Sequence, residues 1–268
     1  MRTNDVVRFS PIATAVLALA SLISAAGFLW PFFYNGQYLP RTQLFFWVAL
    51  TVAFFLVIIQ ISNSALDAKS VALLGVLSAL IAALRPLGAG AVGIEPMWFI
   101  LILAARVFGP SFGFLLGALS MVLSAFITGG LGPWLAYQAF AAGWIGLGIA
   151  LIPKRLSGKK EIIALIIYGI CAAEFFGIAM DLQFWPWALG TDTQLSYLAG
   201  APVLENLSRF MSYHFLSAMA WDIPRAIFTA SLIVISGKPI LHTLRRAHTR
   251  AAFYTPIEFV QLTNARRD

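Results

Sequence analysis

Ala72-Leu-Leu-Gly75-Val-Leu-Ser78-Ala79-Leu-Ile-Ala82-Ala83-Leu-Arg85 contains no charged residue until its last position. A helix rises about 1.5 Å per residue, so about 20 apolar residues cross the hydrocarbon layer of a bilayer. The run 70–86 has the length and composition of one crossing. Gly75, Ala79 and Ala83 recur every four residues on one of its faces, so another backbone can approach closely there. That pattern alone leaves open whether the approaching helix belongs to this chain or to a partner.

Outward from this run the same texture repeats. Apolar segments predict eight spans at 11–33, 43–61, 70–86, 95–108, 111–128, 134–152, 162–181 and 213–236. The fold class expected is all-α, a polytopic membrane helical bundle of about eight transmembrane helices. Across the 268 residues 60% are apolar and 11% charged, whereas a soluble domain carries about 25% charged residues. The first span has a basic start and a small-residue stretch, Ser24-Ala25-Ala26, like a signal peptide. Its apolar run continues through Trp30, which reads as a retained span. The fourth span is short and meets the fifth at Gly109-Pro110, as a tight hairpin or a partly re-entrant segment.

Eight spans place both termini on one side. With that side cytoplasmic, it holds Arg2, Arg8, Lys69, Arg106, Lys154, Arg155, Lys159, Lys160, Lys238, Arg245, Arg246, Arg250, Arg266 and Arg267 out of 18 basic residues. The positive-inside rule favours this orientation in a plasma membrane. It also accounts for the net charge of +7 without nucleic acid. Most tryptophans, among them Trp30, Trp98, Trp134, Trp185, Trp187 and Trp221, fall near the predicted outer interface. The longest outer connection, 182–212, is expected to be a loop. The basic tail, 238–268, is expected to be a cytoplasmic or interfacial helix.

Ionisable groups at membrane depth are costly, so they mark function more often than surface charges do. Glu174 lies inside the seventh span, as a buried acid bonded to a neighbouring helix or as a ligand group. Arg85 and Glu95 flank a glycine-rich loop. Asp222 and Arg225 sit three apart on one helical face, as a local ion pair or as part of a site. With Asp181, Gln138, Trp98 and Trp134 they outline a polar, aromatic-rimmed pocket opening outward, the form that small-molecule sites take. Enzyme signatures are missing. There is no GxxxxGK[ST] phosphate loop. His214, His242 and His248 stand at no metal-ligand spacing from Cys, Asp or Glu. Neither a cofactor nor a metal is expected. Cys171 is a lone small residue in an apolar run.

Three stretches are similar to substrate-binding (S) components of energy-coupling factor (ECF) transporters. They are Ala83-Leu-Arg85-Pro-Leu-Gly88-Ala-Gly90-Ala-Val-Gly93-Ile-Glu95-Pro96, then Arg106-Val-Phe-Gly109-Pro110-Ser-Phe-Gly113-Phe-Leu-Leu-Gly117-Ala, then Gly129-Gly130-Leu-Gly132-Pro133-Trp134-Leu-Ala-Tyr-Gln138 with Gly143, Gly146 and Gly148. Trp221-Asp222-Ile-Pro-Arg225-Ala also resembles them. The likeness covers about 70–240. It implies a six-helix core over 70–237 and an N-terminal extension, 1–69, with two added helices. It further implies capture of a vitamin or related metabolite near the outer face, and partnership with a transmembrane scaffold (T) subunit and two ATPases. Members closest to this chain look like actinobacterial proteins expected to carry cobalamin. The substrate contacts implied are Arg85, Glu95, Trp98, Trp134, Gln138, Glu174, Asp222 and Arg225, with Arg85 and Arg225 meeting an anionic group. Gly75, Ala79 and Ala83 would dock the scaffold. A self-sufficient secondary transporter is the alternative, but it needs ion-coupling groups at the midplane, often on broken helices in inverted repeats. Glu174 alone is thin support for it.

Overall fold

A computed structural model describes residues 5–33, 48, 51–52, 55, 67–88, 93–189 and 193–251. The predicted second span, 43–61, and the end of the tail, 252–268, lie outside the described residues or touch them at isolated positions. Everything described in sequence is helical or a short connection.

Helix α1 is Pro11–Leu29 and α2 is Ala68–Leu84. Ser10 starts α1 by accepting the amide of Ala13 at 3.1 Å, with Pro11 in the first turn where its missing N–H costs nothing. Helix α3 is Met97–Phe108, α4 Pro110–Thr128 and α5 Trp134–Leu147. Helix α6 is Gly158–Ala188, and α7 is Val203–Tyr213. A wide π turn, His214–Ala218, joins α7 to α8, Met219–Ala251. Six of these stretches are long and apolar enough to cross a membrane; α3 is not.

Three expectations change here. Helix α3 has 12 residues, about 18 Å, too short to span. Ten of them are buried, so α3 is a core helix enclosed by its neighbours. Its apolarity reflects protein on every side rather than lipid. Second, 182–212 is mostly helix. Helix α6 runs on to Ala188, α7 begins at Val203, and only 189–202 connects them. The Asn206 amide pins that connection by accepting from Leu198 N at 3.0 Å and donating to Leu198 O at 2.8 Å. Trp185 is fully buried on α6 and donates to Leu195 O at 2.6 Å, so it belongs to the core rather than to a loop. Third, the basic segment after Lys238 is no separate helix as far as Ala251, because it continues α8.

The described N-terminal helix is built into the bundle. Tyr137 donates to Gly27 O at 3.2 Å and Trp144 to Ser21 Oγ at 3.0 Å, both from α5. Ahead of it, Val6 and Val7 are buried, and Val6 N donates to Phe108 O at 2.9 Å.

One end of the bundle is basic and closed by a buried latch. Arg106 Nε donates to Glu161 Oε1 at 2.7 Å, and its other nitrogens donate to the carbonyls of Ile152, Pro153 and Leu156 at 3.0–3.2 Å. Arg245 donates to the same Glu161 oxygen at 2.6 Å. Lys154 pairs with Asp5 at 2.8 Å. Glu161, which no motif or spacing singles out, is thus held by two cations. The opposite end carries the remaining polar cluster.

Candidate functional site

Two glycines bring the loop after α2 onto α8. Gly93 has φ +67°, a conformation L side chains rarely adopt, and a Cβ there would lie 2.7 Å from Arg225 N and overlap the Trp221 carbonyl. A Cβ on Gly88 would overlap the carbonyl of Ile94. These close approaches set Glu95 beside α8. Arg225 Nε donates to Glu95 Oε2 at 3.2 Å, and Arg225 Nη1 pairs with Asp222 Oδ1. The Trp98 indole donates to the same Glu95 oxygen. Arg225 also lies 5.5 Å from the centroid of the Phe176 ring, which packs 4.4 Å from Trp98. Trp98 is 2% exposed, so it forms a wall of the cluster.

Helix α6 supplies the facing acids. Glu174, Gly177 and Asp181 stand at i, i+3 and i+7 and share one face. Gly177 leaves the space into which the Asp222 carboxylate packs, and a Cβ there would overlap it. His214, in the π turn, donates from Nδ1 to Asp181 Oδ2 at 2.7 Å, and the same nitrogen is 4.0 Å from Asp222 Oδ2. One ligand-capable atom from each of Glu174, His214 and Asp222 lies within 4.8 Å of the others. Sequence spacing shows none of this, since His214 is 40 positions from Glu174 and both reach the cluster only through helix packing.

A second polar group lies between α2, α4 and α5. Arg85 Nη2 donates to Gln138 Oε1 at 3.0 Å, and Nη1 reaches Ser124 Oγ at 3.4 Å. Of the eight residues expected to contact substrate, Glu95, Trp98, Glu174, Asp222 and Arg225 fall in the first group, and Arg85 and Gln138 in the second. Trp134 is apart from both. It is 42% exposed and donates to Gly130 O at 3.2 Å, with its ring lying over Gly132. His214, Ser124 and Phe176 were missed. Only the α6 spacing of Glu174, Gly177 and Asp181 could have hinted at what faces them.

The α2 residues expected to dock a partner face outward. Gly75, Ala79 and Ala83 are exposed, and a Cβ on Gly75 would meet nothing within 4 Å. Val76 and Leu80, beside them, are exposed as well.

No curated protein and no solved structure matches the chain. The family profile described as the ECF-type riboflavin transporter, S component, matches residues 65–246. That stretch starts before α2 and ends inside α8, so it takes in both polar groups and the outward small-residue face. The chain belongs to the ECF-type riboflavin transporter S-component family.

Proposed function

We propose that this chain captures an uncharged vitamin of the flavin class at the Arg85–Gln138 end of the bundle and passes it inward with a scaffold docked on α2. Family membership makes it a substrate-binding membrane subunit of an ECF transporter rather than an enzyme, working with T and ATPase subunits. The vitamin, the site residues, the sidedness and the docking face are our reading. The basic end, with Arg106, Lys154 and Arg245, is taken as cytoplasmic by the positive-inside rule. That turns the polar end outward.

The observation that carries the substrate reading is the Arg85–Gln138–Ser124 group. Arginine offers only donors, and glutamine offers both donor and acceptor atoms. An isoalloxazine pyrimidine edge presents acceptor, donor and acceptor in a row, which such a pair can satisfy. Arg225 argues against an anionic group at the other cluster, because Asp222 and Glu95 already take up its charge. We therefore read Arg225 as holding Glu95 and Asp222 in place rather than as a contact for an anionic group. Riboflavin, the vitamin in the family's description, carries no phosphate. Cobalamin, implied by the motif resemblance, remains the rival substrate.

Purified chain in mild detergent should quench riboflavin fluorescence with one ligand per chain. Gln138→Ala should weaken binding about tenfold, equivalent to about 1.4 kcal/mol, at unchanged membrane abundance. Saturable cobalamin binding with no riboflavin binding would exchange the substrate. Binding of neither vitamin by a folded sample would end the capture reading.

A further inference from the structure

We propose that Glu174, His214 and Asp222 form a binding site for one divalent transition cation of the zinc type, with Asp181 orienting His214. The claim is separate from the vitamin reading and does not depend on which vitamin is carried.

The donor set is one imidazole and two carboxylates, which suits zinc and its neighbours. Their ligand atoms already lie within 4.8 Å of one another. Around a tetrahedral ion with bonds of about 2.0–2.2 Å, neighbouring ligand atoms are about 3.3–3.6 Å apart. Closing the set therefore asks for shifts of about 1 Å, the scale of a side-chain adjustment. His214 and Asp222 are 3% and 2% exposed, whereas Glu174 is half-buried beside an apolar groove with Ile170, Ile223 and Ile227, so the site is buried on the His214–Asp222 side and reached from the Glu174 side.

Charge and hydrogen bonding point to a missing cation. Glu95, Glu174, Asp181 and Asp222 gather four carboxylates around Arg225 and His214. Among the described residues, Arg225 is the one guanidinium bonded to any of them, and it serves Glu95 and Asp222. Asp222 Oδ2 is buried with no hydrogen-bond partner. Glu174 makes no hydrogen bond or ion pair among the described residues. An unmet carboxylate oxygen at the depth of Asp222 Oδ2, beside a half-buried Glu174, is costly in a low-dielectric bundle even with Arg225 on the other Asp222 oxygen. A cation between Glu174 and Asp222 answers both vacant acceptors at once.

The surroundings are those of a built site. Gly177 lets the Asp222 carboxylate pack directly against α6, on the face that carries Glu174. With Nδ1–H held by Asp181, His214 would ligate through Nε2, the carboxylate–histidine arrangement that fixes the ring of a ligating histidine. The single π turn in the described chain falls on His214, and such turns recur at functional sites.

The test uses untagged full-length chain in detergent, stripped with chelator and titrated with Co²⁺ and then Zn²⁺. Visible Co²⁺ bands should saturate at one ion per chain, and one equivalent of Zn²⁺ should erase them. Glu174→Gln and His214→Gln should each lower Co²⁺ affinity at least tenfold. Asp181→Asn, which removes no ligand, should lower it about 10–100-fold with the band positions kept. A folded wild-type sample that shows no bands and retains no Zn²⁺ overturns the proposal and leaves protons as the neutralising charge. Unchanged binding in folded Glu174→Gln and His214→Gln overturns it too, because the ions would then sit elsewhere, for instance at His242 or His248. The wild-type titration decides even where a variant does not fold.

Discussion

Two helix surfaces in this protein carry the same small-residue signature, and the bundle treats them in opposite ways. Between α4 and α5 the faces are filled from within. A Cβ on Gly113 would lie 2.5 Å from Gly146 O, one on Gly143 would lie 2.7 Å from the Phe114 ring, and one on Gly117 would overlap the Ala142 carbonyl. Among the described residues the α2 face is vacant, with open space over Gly75 and exposed Ala79 and Ala83. Helix association in lipid draws on close packing more than on a hydrophobic driving force. A smooth face left open on a packed bundle is therefore stored contact area. Spacing tells where a backbone can approach, and only the surrounding atoms tell whether one already has.

The sharpest way to break the comparison is at the filled face. Gly146→Leu would drive a side chain into the Gly113 backbone, where neither helix can yield without separating. Overpacking of this kind costs about 3 kcal/mol or more. We expect little monodisperse protein after detergent extraction, judged by size-exclusion chromatography. Wild-type yield and thermal stability would show that α4 and α5 pack differently.

How much of this was legible beforehand follows from the physics of each signal. Among the described residues hydropathy finds the six stretches long and apolar enough to cross, because lipid demands apolar length, and Gly109-Pro110 marks a real break, with Gly109 at φ +101°. It could not tell α3, apolar because protein surrounds it, from a helix apolar because lipid does. It also misread 182–212, since α7 carries Glu205, Asn206 and Arg209 and looks like loop by composition. Its Arg209–Glu205 pair at 3.0 Å is an ordinary i, i+4 contact. In the candidate site, Asp222 and Arg225 were readable as a pair because three residues make most of a helical turn. The bond from Arg225 to Glu95 joins residues 130 apart, and the meeting of His214 with Glu174 depends on how α6 lies against α8. Local spacing holds no record of either.

At the vacant face the expected effect is smaller for the fold and large for assembly. Ala79→Leu adds bulk toward open space, so stability should stay within about 0.5 kcal/mol of wild type. Co-purification with the scaffold subunit should nevertheless fall at least tenfold, since the branched side chain holds the partner backbone away. Riboflavin binding by the isolated chain should survive. If the complex still assembles normally, the vacant face belongs to some other contact and the docking assignment fails.

The smallest expected effect is the most discriminating, because it applies nearly the same change to both surfaces. Gly75→Ala adds one methyl group where nothing lies within 4 Å. Alanine in a helix interior is favoured over glycine by up to about 1 kcal/mol, so the melting temperature should hold or rise slightly. A docked scaffold helix would feel the methyl as a few-fold loss of association, because glycine is the residue that admits the closest backbone approach on this face. Gly146→Ala adds the same methyl against the Gly113 carbonyl and should lower the melting temperature clearly. If both substitutions move stability in the same direction, the two faces are not opposites. The assignment of α2 to a partner would then lose its physical basis, whatever the family implies.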